Sequence, residues 1–335
     1  MNVQSFGDMA QFLFLRGRSV ELNKTLDTLT QEMSTGVSSN LPARLGGDLG
    51  FVADLERSIS KMDSYKVAAQ EAALFSSTAQ DYLERINDNA LNLGADILSL
   101  SSTANDTTAQ ELASQSMTYL KEAISNLNGQ LSGRSLFAGT DTSTSPLESA
   151  DTMMTALVAE VGALTDEDDI VQAVQDWFAD PAGFDAIMYN GSTDNMSAVR
   201  IGVNEEVNFA LRADDERLKQ AMKSFALGAL GSQDYLGHLS TVESSALVAR
   251  AGTELMNAQT SLTDVQSDLG FIQARIEETQ TRNTAAFTSM ATTLNDLILA
   301  DPAETASRVE EVQFQLEALY SITVRSSQLN LLNYM

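Results

Sequence analysis

Both ends of the chain carry an apolar stripe with heptad spacing on an otherwise polar helical pattern. The stripe comprises Phe12, Leu15, Leu22, Leu26, Leu29 and Met33 near the amino terminus, and Val309, Val312, Leu316, Leu319, Ile322, Leu329 and Leu332 near the carboxy terminus. Such a stripe is too narrow to face a globular core alone and is typical of a coiled-coil seam. We therefore expect the terminal helices to pair with each other, with copies of themselves, or with both, which indicates assembly rather than catalysis.

The charge balance limits the partners. The chain has 46 acidic and 20 basic residues and a formal net charge of -26, which repels phosphate backbones and anionic lipid headgroups. We therefore expect no nucleic-acid partner and no membrane partner. No run of apolar residues is long enough to cross a bilayer, and the start lacks the pattern of a cleaved signal peptide, so we expect a soluble, unprocessed chain.

Three further segments repeat the heptad spacing and predict long helices. They run from Met62 to Leu100, from Ala113 to Leu131 and from Leu262 to Leu297, with a turn at residues 101–108 after which the second should fold back on the first. Glycines and a proline between Gly36 and Gly50 predict a linker after the first helix. We thus expect terminal helices in residues 1–50 and 301–335, and a helical rod in residues 51–135 and 240–300.

The helical period fails in residues 136–239. Asn190-Gly191 is typical of a tight hairpin turn, and Ala198 to Leu211 contains short β-type runs. No Lys or Arg occurs between Arg134 and Arg200, so the segment is acidic and should face solvent. The predicted fold is mainly α: an elongated antiparallel helical rod with terminal coiled-coil helices and an inserted, outer, β-rich (α+β) module.

Three stretches resemble the flagellin superfamily. Leu29 to Gly36 is similar to the segment where such proteins pass from terminal helix to rod, and Gln313 to Met335 is similar to the family's last helix. Gly133 to Thr140, with the family marker Leu136, Phe137, Ala138, Gly139 and Thr140, resembles a motif of the hook-associated protein 3 family, as does Tyr189-Asn190-Gly191.

The resemblance implies a structural subunit of the bacterial flagellum at the junction of hook and filament. In such a protein the terminal stripes are the assembly interface, and the partners are copies of the same chain in a ring, a neighbouring hook-associated protein and flagellin. It further implies export by the flagellar type III system without signal-peptide cleavage. A cytoplasmic chaperone would cover the carboxy-terminal helix before export, and the final location would be extracellular.

Three alternatives remain at this stage. Filament flagellin shares the terminal pattern. A hydrolase or adhesin head on flagellin-type arms would need a polar site or a glycan pocket between Ser143 and Gly237, and a cytoplasmic coiled-coil scaffold would need only the helices.

No residue pattern indicates a catalytic, metal or cofactor site. The single histidine, His238, has no recognisable nucleophile motif beside it, and Asp166 to Asp169 lacks the alternation of a calcium loop, which favours a solvated loop. Trp177 and Phe178 are more typical of a core than of an adhesive patch. We interpret Leu136 and Phe137 as a helix end packed on the rod, with Gly139 as its left-handed cap.

Overall fold

The computed structural model of the chain describes residues 3–100 and 106–332, without the side chains of residues 3–8, 43, 100, 106 and 326–332. The helices are α1 Val3–Thr35, α2 Leu41–Arg44, α3 Gly50–Leu100, α4 Asp106–Leu127, α5 Ala150–Val161, α6 Glu167–Ala179, α7 Glu216–Leu230, α8 Thr241–Ile298 and α9 Pro302–Leu332. The strands are β1 Gln130–Leu131, β2 Arg134–Ser135, β3 Val199–Arg200 and β4 Glu206–Val207. The predicted mainly α class is confirmed.

The chain forms two compact units. The terminal unit consists of Met1–Asp63 and Ala285–Met335, and the central unit consists of Ser64–Thr284. The helices α3 and α8 each contribute residues to both units.

The core of the central unit lies between α3, α4, α7 and α8. Small residues allow these helices to approach closely: a Cβ placed on Gly94 of α3 would lie 3.3 Å from the Cβ of Leu255 on α8, and one on Gly228 of α7 would lie 2.4 Å from Oγ of Ser116 on α4. The heptad positions that predicted the long helices are the ones buried here, as shown by Leu83 on α3. The Nδ2 of Asn89 donates to Oε2 of Glu122 at 2.8 Å, so α4 folds back on α3 as predicted. The part of the predicted turn at residues 101–105 lies outside the described residues.

The inserted segment is mainly helical, so the prediction of a β-rich module is wrong for residues 136–239. Its helices α5 and α6 pack on each other and on α7, and α5 also packs on α4. The described strands of this region are β3 and β4, which are two residues long and pair antiparallel; the equally short pair of β1 and β2 lies just before it. The alternating apolar residues, such as Ile201 and Phe209, are buried against helices rather than against a second sheet, which explains the misleading pattern.

The tight hairpin predicted at Asn190-Gly191 is also absent. Tyr189 forms an isolated antiparallel bridge with Leu147, and the backbone amide of Asn190 donates to the carbonyl oxygen of Pro146 at 2.8 Å. The hairpin of this region instead joins β3 to β4, within the predicted run from Ala198 to Leu211.

The acidic run at residues 166–169 starts a helix instead of forming a loop. The Oδ1 of Asp166 accepts the backbone amides of Asp168 and Asp169 at 3.0 and 3.4 Å, and the other three acids occupy the first turn of α6. Carboxylates are favoured there by the helix dipole and the free amides. At the other end of α6, Trp177 and Phe178 contact Phe184 in a buried aromatic cluster, so this pair belongs to the core as predicted.

Candidate assembly surface

The helices α1 and α9 pack on each other in the terminal unit. The end of α1 is joined to the start of α9: Val37 bridges Leu299, and the backbone amide of Ala300 donates to the carbonyl oxygen of Gly36 at 2.9 Å. Because α1 ends and α9 begins at this joint, the two helices run antiparallel. Gly36 has a φ of 71°, so a residue without a Cβ is needed where the chain leaves α1.

Side chains fix the same joint. The guanidinium of Arg44 donates to the carbonyl oxygens of Leu299 and Asp296 at 2.5 and 3.1 Å. The buried Glu32 accepts the backbone amide of Ser39 at 2.5 Å through its Oε1. Pro302 occupies the first turn of α9, and the Oδ1 of Asp301 accepts the amide of Ala303 at 2.8 Å, which caps the helix.

The middle of the predicted stripes forms the seam between α1 and α9. The buried side chains of this seam are Leu22, Leu29, Val312, Leu316 and Leu319, and the half-buried ones packed on them are Leu15, Leu26 and Val309. These eight positions were all in the predicted set. The sequence therefore identified which faces of the two helices meet within one chain.

The rest of the predicted set lies outside the seam. Phe12, Met33 and Ile322 are 57%, 54% and 50% exposed. Leu329 and Leu332 fall within α9, but their side chains lie outside the described residues. The predicted pairing is thus satisfied within the chain only along the middle of the stripes.

A second set of apolar side chains was missed by the heptad analysis because its members do not repeat with the seam. These exposed residues are Met9, Leu13, Phe14 and Val20 on α1, and Phe314, Tyr320 and Val324 on α9. Phe14 and Phe314 are the most exposed, at 72% and 71%. We call this set, together with Phe12, Met33 and Ile322, the terminal apolar surface; its members are spread along both helices and are not covered by the seam.

The family-marker residues lie in the central unit and have a structural role there. Leu136, Phe137 and Ala138 are buried. The carbonyl oxygen of Phe137 accepts the amide of Ala213 at 2.9 Å, and that of Ala138 accepts the amide of Ser192 at 2.9 Å. The marker is therefore a buried extended segment that is hydrogen-bonded to two other parts of the chain, near Ser192 and near Ala213. It is not a helix end, since α4 ends at Leu127.

Close backbone contacts explain the glycine of this marker. Gly139 has a φ of 65°, and a Cβ there would lie 2.8 Å from the carbonyl oxygen of Ser192 and closer still to that of Asp194. The left-handed conformation of Gly139 was predicted correctly, but it allows close contact with the backbone of residues 192–194 and does not cap a helix. Next to it, Thr140 donates its amide to the carbonyl oxygen of Asp194 at 3.1 Å. Burial, with the Asp214 carboxylate nearby, raises the pKa of Tyr189 to about 12, so its hydroxyl stays protonated and donates to the carbonyl oxygen of Ser192 at 2.8 Å.

The other residues considered as possible sites form no recognisable catalytic or metal site in the described part of the chain. Nε2 of His238 lies 2.9 Å from the carbonyl oxygen of Leu164, so this exposed histidine links two loops. Within the described ranges, no group of three or more His, Asp or Glu side chains has the arrangement of a metal site. Nor does any helix in that part of the chain combine the length and the apolar character needed to span a membrane.

Comparison with known proteins agrees with this picture. Residues 253–335 match the family model of the bacterial flagellin C-terminal helical region. The fold is shared with the solved structure of a Vibrio parahaemolyticus protein described provisionally as a flagellar hook-associated protein, with a TM-score of 0.50, 13% identity, and coverage of 73% of this chain and 95% of that chain. None of the curated protein sequences matches the chain significantly. The predicted resemblance to flagellins is therefore confirmed by the family model for the carboxy-terminal quarter of the chain, and the fold is that of the provisionally described hook-associated protein.

Proposed function

We propose that this chain is a member of the flagellin superfamily and a structural subunit of the bacterial flagellum that acts at the junction between hook and filament. In this proposal residues 1–50 and 301–335 form the polymer core, and residues 136–239 form the outer part. The role is structural rather than enzymatic. The partners are copies of the same chain in a ring, a neighbouring hook-associated protein, and flagellin.

The terminal apolar surface is the observation that supports assembly. The seam between α1 and α9 buries few side chains, while Phe14 and Phe314 stay more than two-thirds exposed. Burying a large apolar side chain contributes about 1.5 to 3 kcal/mol, so covering several of these residues with neighbouring subunits would add to the stability that the seam alone provides. Packing between subunits therefore stabilises the terminal helices beyond what one chain provides.

The proposal extends to export and location. The chain leaves the cell through the flagellar type III system and resides outside the cell in the flagellum. Before export, a cytoplasmic chaperone covers the carboxy-terminal helix, whose Phe314, Tyr320 and Val324 are exposed. A cover over these side chains prevents premature association of subunits in the cytoplasm.

The second candidate is filament flagellin. The match of residues 253–335 favours it as well, because that model describes the flagellin C-terminal helical region. Immunogold labelling of intact cells separates the two candidates: a narrow band at the base of each filament supports the junction subunit, whereas label along the whole filament supports flagellin. Label that stays inside cells with working flagellar export contradicts both.

A variant pair tests the assembly step. Replacing Phe314 and Tyr320 by serine should abolish incorporation into the flagellum while the secreted monomer keeps its helical content, since both side chains are exposed. The matched control replaces Leu91 and Leu98, which are exposed on α3 in the central unit, by serine and should incorporate normally. Normal incorporation of the first variant would contradict the proposed role of the terminal helices.

A further inference from the structure

A small apolar pocket lies in the central unit beside the β1–β2 hairpin. It has a volume of about 260 Å³ and lies between α3, this hairpin and the segment around β3. Its apolar lining consists of Leu74, Phe75, Leu131, Met196, Val199 and Phe209. Phe209 is buried at the base and its ring centroid is 4.7 Å from that of Phe75, while Leu74 is 54% exposed. The cavity is large enough for one aromatic side chain and is already formed in the single chain.

The pocket also carries an available positive charge. Arg134 lines it, and its exposed guanidinium takes part in none of the salt bridges or side-chain hydrogen bonds of the described residues. Glu71, also exposed, is the acidic residue of the lining. An exposed arginine without a partner is notable in a chain of net charge -26. An apolar group with acidic neighbours would complement such a pocket.

A single protruding aromatic residue of the central unit has those properties. Phe271 on α8 is 73% exposed, although Leu269 and Ile276 on the same helix are almost fully buried. Asp264 and Glu278, two turns before and after it, share its face of the helix and are exposed. Arg275 on this face is already paired with Glu205 at 2.8 Å. The ring is thus held on a helix with the carboxylate of Asp264 two turns before it, while Glu278 two turns after it is paired with Arg282 at 3.2 Å.

We propose that Phe271 of one copy inserts into the pocket beside Arg134 of the next copy. This inference rests on the proposed function, because it supplies a contact between central units in the polymer in addition to the terminal helices. The two surfaces are different parts of the chain, so the contact is head-to-tail and repeats from copy to copy. A contact of this kind generates a ring or a helical polymer rather than a closed pair.

The chain contains no cysteine, so engineered disulfides test the contact directly. A mixture of the Ala274→Cys and Ser132→Cys variants should give a cross-linked dimer under mild oxidation, because Ser132 lines the pocket and the exposed Ala274 lies one turn after Phe271, whose ring is kept. Neither variant alone should cross-link. The matched control, Val242→Cys, is 76% exposed on the same helix and should not cross-link with Ser132→Cys. Equal cross-linking by Ala274→Cys alone would overturn the head-to-tail contact.

Single substitutions give an independent measure. Phe271→Ala and Arg134→Glu should each raise the protein concentration needed for assembly about tenfold, with the thermal unfolding of the monomer unchanged, since a central aromatic anchor contributes about that much or more. Assembly at the wild-type concentration by both variants would overturn the inference.

The failure of this inference and the failure of the proposed function give different results. If the wild-type chain labels the flagellum but the mixed cysteine variants do not cross-link, the contact is wrong and the flagellar role stands. If they cross-link while the label stays inside the cell, the contact is supported and the flagellar role is wrong. If neither flagellar labelling nor cross-linking is observed, both the flagellar role and the contact are wrong.

Discussion

The terminal and central units start from the same heptad pattern and treat their apolar side chains differently. In the central unit the stripes of α3, α4 and α8 meet each other and α7, so residues such as Leu83, Leu120 and Leu255 are fully buried. In the described part of the terminal unit α1 and α9 pack mainly on each other, and Phe12 of the stripe stays 57% exposed. The pattern fixes which side of a helix is apolar, and the number of neighbouring helices decides how much of that side is covered.

The ion pairs of the two units also differ in which elements they connect. In the terminal unit, Arg18 pairs with Glu21 and Arg308 with Glu304, each within one turn of a single exposed helix. In the central unit, Arg217 reaches Asp268 from α7 to α8. Exposed ion pairs contribute little to stability in either unit, with a typical value of about 0 to 1 kcal/mol. The pair between Arg217 and Asp268 nevertheless links two helices of the central unit within one chain, whereas the two pairs named in the terminal unit each lie within one helix.

The largest expected difference between the two units is the loss of unfolding free energy caused by a Leu→Ala substitution. Leu83→Ala removes a fully buried side chain of the central unit and should lower its free energy of unfolding by about 3 to 5 kcal/mol. Leu22→Ala in the seam should cost about 1 to 2 kcal/mol, because water reaches a two-helix seam and little cavity remains. Hydrogen exchange resolved by residue measures both. Equal losses, or loss of protection in α4 caused by Leu22→Ala, would contradict the division.

Two glycines of the central unit provide the next largest effect. Gly139→Ala forces a Cβ against the carbonyl oxygens of Ser192 and Asp194 and should destabilise the unit by about 3 kcal/mol. Gly133→Ala has a similar φ of 77° but no heavy atom within 4 Å of the new Cβ, so it should cost only about 1 kcal/mol. Urea unfolding of the two variants checks the difference. If the costs are equal, backbone conformation alone explains the glycine in the marker.

The sequence predicted the helices and the seam but not the content of the inserted segment. Heptad spacing located α3, α4, α8 and α9 because these helices bury one continuous face. The alternation at Val199, Ile201 and Val203 resembled a strand, but a two-residue strand held against helices gives the same alternation as a sheet. Phe14 and Phe314 were not predicted because they lie off the heptad stripes of α1 and α9. Whether such a residue is covered depends on tertiary neighbours, which spacing does not encode.

The terminal apolar surface should affect assembly and leave folding unchanged. Phe14→Ser should raise the concentration needed for polymerisation about tenfold, the effect of losing one large apolar contact. Because Phe14 is 72% exposed, the unfolding temperature of the monomer should change by less than about 2 °C. Sedimentation of mixtures at increasing concentration measures the first quantity and calorimetry measures the second. Phe271→Ala should raise the concentration needed for polymerisation by a similar factor only if the central units of neighbouring copies are also in contact.

The smallest predicted effect concerns acid stability and is confined to the central unit. Asp215 caps α7, where its Oδ1 accepts the backbone amide of Arg217 at 2.9 Å and its Oδ2 accepts Nη2 of the same residue at 3.0 Å. Burial opposes ionisation of Asp215, but hydrogen bonds from Arg217 and its charge outweigh burial and hold the pKa below its ordinary value. The ionised form thus stabilises the folded state above the unfolded pKa of about 3.9. This contribution is lost as the pH falls through the lower pKa of the folded state.

Asp215→Asn keeps the capping oxygen and removes the charge, so it isolates the ion pair. It should lower the free energy of unfolding by about 1 kcal/mol at neutral pH, a modest figure because Arg217 is one-third exposed. The difference from the wild type should shrink as the pH falls below about 4, where the wild-type carboxylate is protonated as well. Urea unfolding at a series of pH values, followed by amides of α7 and of α9 separately, tests this. A difference that stays constant down to the lowest pH, or that appears in α9, would show that Asp215 acts as a cap alone or that the two units unfold as one.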